Sequence, residues 1–163
     1  HSVHYEYADG SFCFSQCRQI DGCWNAVSEH LIGTAGRADM DTGKWTIKEL
    51  VMHMIDTERV FAYRLLTFMR GDRIALPGFN QDIWMEAVDV SNRTLKDLMK
   101  EWKVVRDNTL FLLAQCNEEQ SKFAGTASGW KVTPRAMFFV IIGHHIHHMN
   151  VLKENYLANH PAG

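Results

Sequence analysis

Between Gly143 and Asn150 the chain reads GHHIHHMN, placing His144, His145, His147 and His148 within five positions. Imidazole titrates near neutral pH, and its neutral form is a common nitrogen ligand for divalent cations. The segment has helical spacing, so each residue advances by about 100° around the axis. With Met137 at zero, Ile141 falls at about +40°, Val151 at about −40° and Leu152 at about +60°, which defines an apolar stripe. His144 at about −20° and His148 at about +20° lie in the middle of that stripe and point into the protein. His145 and His147, at about +80° and about −80°, sit on its shoulders and face solvent or an interface.

Two imidazoles buried on adjacent turns each have two ring nitrogens to satisfy, and neither accepts a charge readily beside the other. A divalent ion resolves both difficulties, because neutral rings at i and i+4 converge on a point just off the helix. The alternative is a pair of hydrogen-bonded core histidines or an accidental histidine-rich face. A metal site needs more than two protein ligands. His1, His4 and His160 lie near the ends and His30 in the unclear N-terminal part, but His53 lies inside the most regular helical segment of the chain. It falls on the flank of that segment's apolar stripe, beside Thr57 and Val60, a place that suits a ligand near the mouth of a bundle. Three histidines leave positions for water or substrate, as catalytic metal sites require. Such a set suits zinc or nickel first, with iron, manganese or copper as alternatives.

Helices must position these residues. TIKELVMHMIDTERVFAYRLLTFMRG opens with Thr46 and Glu49 in capping-box spacing. It carries Ile47, Leu50, Val51, Met54, Phe61, Leu65 and Phe68 at helical intervals and ends near Gly71. NQDIWMEAV predicts a short helix near residues 80–88. SNRTLKDLMKEWKVVRDNTLFLLAQC predicts a long one, with Ser91 as N-cap and Leu95, Leu98, Trp102, Val105, Leu112 and Leu113 as its stripe. NEEQSKFAGTASGWK reads as a loop, and the last helix runs from Thr133, with Pro134 at its first position, to about Leu157. In the N-terminal part, QCRQIDGCWNAVSEHLIG reads as a further helix. Strand signals are almost absent, so the fold class is all-α: one four-helix bundle spanning residues 1–163, with long connections. Trp24, Trp45, Trp84, Trp102 and Trp130 read as core and loop anchors.

The 163 residues suffice for one domain, and a net charge of −2 offers no basic field for nucleic acid. No apolar run approaches a membrane span. The first residues lack a signal-peptide layout; residues 1–10 read as tag-derived or disordered, and the compartment is taken to be the cytoplasm. Cys13, Cys17, Cys23 and Cys116 match no standard zinc spacing and read as structural thiols.

Three blocks, WTIKELVMHMIDTERVFAYR, LPGFNQD and GTASGWKVTPRAMFFVIIGHHIHHMNVLKENYL, in this order and spacing resemble the DinB/YfiT-like superfamily. The resemblance runs from about Gly43 to Leu157, and residues 1–42 depart from the pattern. It implies a four-helix bundle with crossover-like connections, often a homodimer. It also implies a divalent metal held by His53, His144 and His148, the trio that periodicity favours. Some relatives are S-transferases that use a low-molecular-weight thiol such as bacillithiol or mycothiol.

Two classes of function follow. In the first, a metal-dependent enzyme acts on a small molecule, as a thiol transferase or as a hydrolase that activates water. Asp56 and Glu58 are then candidates to accept outward ring N–H groups, against a solvated face or salt bridges to Arg59 or Arg64. Asn80, Gln81 and Asp82 are candidates to touch substrate, against a turn in which Asp82 caps a short helix. His145 and His147 either support the site, lie at a dimer interface or sit idle. No residue stands out as an obligatory general base. In the second class, the metal is structural, or the domain binds a ligand or partner in a stress response. A fourth protein ligand would favour that reading.

Overall fold

The computed structural model describes residues 45–154. The expected first helix, Cys13, Cys17, Cys23, Trp24 and the last helical turn toward Leu157 lie outside the described residues.

Helix α1 spans Ile47–Met69. Thr46 caps it: its Oγ1 accepts from the Glu49 N–H at 3.2 Å, and the Glu49 carboxylate accepts from the Thr46 N–H at 2.7 Å. After Met69, Gly71 turns the chain with φ at 76°. A two-residue strand, β1 (Ala75–Leu76), leads to the short helix α2 (Gln81–Glu86). Helix α3 spans Leu95–Ala114, and Thr94, not Ser91, is its N-cap, accepting from the Asp97 N–H. Both residues are good capping types; the stripe begins at Leu95, so the residue immediately before it takes the role. Helix α4 spans Pro134–Leu152, capped by Thr133 with Pro134 at its first position as expected.

The stretch between α3 and α4 is more ordered than a loop. A turn of 3₁₀ helix (Gln120–Lys122) precedes strands β2 (Gly125–Ala127) and β3 (Trp130–Val132). β2 pairs antiparallel with β3, Ala127 opposite Trp130, and parallel with β1, Leu76 opposite Ala127. Ser128 and Gly129 join β2 to β3 with φ of 52° and 82°. Two consecutive left-handed residues make the hairpin turn whose twist matches that of the strands. Gly125 lets this small sheet seat on the helices, since a Cβ there would lie 2.1 Å from the Phe68 ring. Trp130, expected as an anchor, is exposed at the hairpin tip.

α1 packs against both α3 and α4, and the apolar core falls into two clusters. One gathers residues such as Leu50, Val51 and Met54 of α1, Leu98 and Trp102 of α3, and Met149 and Leu152 of α4. The other gathers Leu65 and Phe68 of α1, Leu113 of α3, Met137, Phe138 and Ile141 of α4, and Leu76 and Ala127 of the small sheet. Buried polar side chains occupy the level between them: Thr57 and Glu58 on α1, Arg106 and Thr109 on α3, and His145 on α4.

The phase of α4 differs from the one drawn from sequence. Its buried residues, Pro134, Met137, Phe138, Ile141, His145, Met149 and Leu152, centre at about +65° from Met137 rather than near zero. His145 therefore lies in the middle of the buried stripe and is 4 % exposed, not on a shoulder. His144 and His148 lie at its edge, half-buried. The physical reason is that α4 is apolar nearly all round, with Phe139, Val140 and Ile146 on its exposed side, so its pattern alone does not mark the inward face.

Candidate metal centre

Each of the three histidines is delivered by a helix whose local sequence fixes it. The capping box starts α1 six residues before His53 reaches its place, and Pro134 starts α4 ten residues before His144. The i, i+4 spacing then stacks His148 one turn beyond His144. His53 is buried, deeper than a flank position suggests.

The three Nε2 atoms form a nearly equilateral triangle. His53 lies 3.2 Å from His144 and 3.2 Å from His148, and the last two are 3.1 Å apart. Hydrogen bonding does not satisfy such a triangle. A ring nitrogen either donates through its N–H or accepts through its lone pair. Of three nitrogens at least two must play the same role, and two alike at this distance repel. A proton is also a poor occupant. Burial, followed by the neighbouring histidines, lowers the His144 pKa to about 3. The same causes lower His148 to about 4. Burial lowers His53 as well, opposed by the carboxylate of Asp82. The site thus holds three neutral imidazoles and disfavours their protonation.

A metal ion fits the triangle. The centre of a triangle with these sides lies about 1.8 Å from each nitrogen. Nitrogens so spaced would all come within the usual nitrogen–metal distance of about 2.0–2.1 Å from one shared ion, which His53, His144 and His148 would hold. Among the described residues, no further histidine, cysteine or carboxylate joins the three.

Other side chains fix the rings. The Thr57 hydroxyl lies 3.4 Å from His53 Nδ1, one helical turn on. The Trp45 ring sits 4.9 Å from the His53 ring, and Phe61 meets His144 edge-on at 5.6 Å. These aromatic walls keep the rings out of water and contribute to their lowered basicity.

The remaining sequence candidates are not corners of the triangle, though the Asp82 carboxylate acts on His53 through its charge. Asp56 pairs with Arg59 at 3.0 Å, the salt bridge weighed for it from sequence, and does not touch a histidine ring. Glu58 is neither a solvated residue nor a partner of Arg59 or Arg64. It is buried and pairs with Arg106 of α3 at 2.8 Å. Asn80, not Asp82, caps α2, accepting from the N–H groups of Asp82 and Ile83. Gln81 and Asp82 are exposed in the first turn of that helix. His147 is exposed, with its ring edge-on to His148 at 4.9 Å.

Arg106 is the residue that sequence reasoning missed. Its guanidinium also approaches His145 Nδ1 at 3.2 Å. A guanidinium only donates, so Nδ1 accepts and the His145 proton sits on Nε2. Burial and the Arg106 charge lower the His145 pKa to about 3. Trp102 packs its ring against that of His145, tilted by 38° with centroids 4.6 Å apart, and donates to Glu58. The signal was present in the sequence: Arg106 stands four residues after Trp102 and seven before Leu113, a cation on the apolar stripe.

The profile of the DinB superfamily matches residues 19–152. The chain belongs to the DinB superfamily. The match starts upstream of Gly43, so residues 19–42, where the motifs of the resemblance are missing, still belong to the DinB domain. It also contains all three histidines of the triangle. Comparison with the curated proteins finds no match.

Proposed function

We propose that this DinB-superfamily protein is a divalent-metal enzyme, and specifically a thiol-dependent S-transferase acting on small electrophiles. The observation that carries the metal reading is the triangle of His53, His144 and His148 Nε2 atoms, 3.1–3.2 Å on a side, with no fourth protein ligand among the described residues. Structural zinc sites are usually closed by four protein ligands, whereas catalytic ones keep a position for an outside molecule. A bound divalent ion supplies positive charge that favours the thiolate form of a thiol beside it. The protein's part is to hold three neutral nitrogens in place and to wall the centre with Trp45 and Phe61. The thiol gives its proton to solvent, its sulfur forms a bond to the electrophilic carbon, and the leaving group departs with the bonding pair. The choice of thiol transfer over other metal chemistry rests on the resemblance to bacillithiol- and mycothiol-dependent relatives.

Elemental analysis of protein purified without a histidine tag tests the metal reading. About one divalent ion per chain is expected, lost in His53→Ala and in His148→Ala. Unchanged metal content in both variants would remove the trio as ligands. Incubation with bacillithiol or mycothiol and monochlorobimane tests the chemistry. Conjugation that disappears with a chelator and returns with added ion is expected; conjugation at the same rate without metal refutes it.

A further inference from the structure

The buried polar layer between the two apolar clusters has no place in the metal site as described. Glu58, Arg106 and His145 are each about 4 % exposed or less and come from three different helices. Arg106 Nη2 joins them, 2.8 Å from the Glu58 carboxylate and 3.2 Å from His145 Nδ1. As a device for stability this network is poor. The ion pair is end-on rather than bidentate. Glu58 Oε1, Arg106 Nε and Nη1, and His145 Nε2 are buried with no hydrogen-bond partner among the described residues. Buried charges with unmet polar atoms recover little of their desolvation cost, and apolar replacements of similar volume are often as stable or more so.

What the network does fix is direction. His145 lies between His144 and His148 on α4, while Glu58 lies five residues beyond His53 on α1. A side-chain tip rides roughly 6 Å from its helix axis, so rotating α4 by about 20° carries it about 2 Å. Metal–ligand distances hold to about 0.2 Å, a tenth of that displacement. Apolar packing cannot set the rotation closely, because α4 presents apolar residues on its exposed side as well. We propose that Glu58, Arg106 and His145 form a rotational lock that sets α4 against α1 and α3 so that His144 and His148 meet His53. His145 is thus a positioning residue for a metal site that it does not enter. This inference rests on the metal reading above.

The test compares His145→Phe with His145→Asn. Phenylalanine keeps the bulk and the ring contact with Trp102 but offers Arg106 no acceptor. Asparagine places its Oδ1 where Nδ1 stood and restores one. Zinc affinity is measured by competition with a chromophoric chelator, and site geometry by the visible spectrum of the cobalt-substituted protein. His145→Phe is expected to bind zinc about 10–100-fold more weakly, with an altered cobalt spectrum, as loss of a ligand-orienting partner does elsewhere. His145→Asn is expected to bind within a few-fold of the parent, with the parent spectrum. A phenylalanine variant that binds like the parent, or an asparagine variant as weak as phenylalanine, overturns the lock. If His145→Phe does not fold, Glu58→Leu, which removes the acceptor for Arg106 on α1, takes its place: weakened binding supports the lock and unchanged binding overturns it. Parent protein that takes up no ion overturns the metal reading too, whereas parent uptake with an unaffected variant overturns the lock alone.

Discussion

Deleting one imidazole from the triangle has a calculable effect on thermal stability. An ion that binds only the folded chain, supplied at a hundred times its dissociation constant, stabilises it by about 2.7 kcal/mol. For a chain of this length each kcal/mol moves the melting temperature by about 2–4 °C, so metal-stripped parent protein should gain about 5–11 °C on adding zinc. Four-ligand zinc sites bind with about 10–16 kcal/mol, or roughly 3 kcal/mol per ligand. Losing one of three nitrogens that stand 3.1–3.2 Å apart should therefore weaken binding about a hundredfold. At the same zinc concentration the variant is half-loaded, which leaves about 0.4 kcal/mol and a shift of about 1–2 °C. Differential scanning calorimetry of chelator-treated parent, His148→Ala and exposed His147→Ala checks this. The parent and His147→Ala should show the full shift, and His148→Ala almost none. A full shift in His148→Ala would mean that the ion sits elsewhere, and the reasoning from the triangle would fail.

Three further outcomes are expected. His144, His145 and His148 have folded pKa values of about 3 to 4, below the ordinary histidine value. The unfolded chain then binds more protons than the folded one below about pH 6.5. Metal-free protein should lose stability as pH falls from about 6.5 toward 3, the folded pKa of His144 and His145, and urea titrations at several pH values measure this; constant stability across that window would contradict it. Thr57→Val removes the hydroxyl beside His53 Nδ1 and should weaken zinc binding by about tenfold in a chelator competition. Gly125→Ala forces a Cβ into the Phe68 ring and should cost at least about 1–3 kcal/mol in thermal unfolding, without changing metal content after refolding.

The parts legible in the sequence are those written in local chemistry. Thr46 with Glu49, and Thr133 with Pro134, mark the starts of α1 and α4 because capping depends on residues three or four apart. The convergence of His53, His144 and His148 followed from helical spacing together with the family resemblance. The phase of α4 was not legible, because a helix with apolar residues on every side gives no local mark of its inward face; contacts with α1 and α3, the Arg106–His145 hydrogen bond among them, decide it. The strands β1, β2 and β3 run two or three residues each, too short for alternation to show, so the stretch that forms β2 and β3 reads as a loop in the sequence. Glu58 looked like surface because its partner, Arg106, is 48 positions away and meets it only across the helix interface.

The division of the apolar interior into two separate clusters has a consequence for how this protein tolerates change. Among the described residues no apolar side chain belongs to both clusters, so the energetic effects of altering one of each should sum nearly independently. Either end of the molecule can then drift in composition without disturbing the other. The belt between them cannot, since Arg106 there answers at once to Glu58 and to His145 on two other helices.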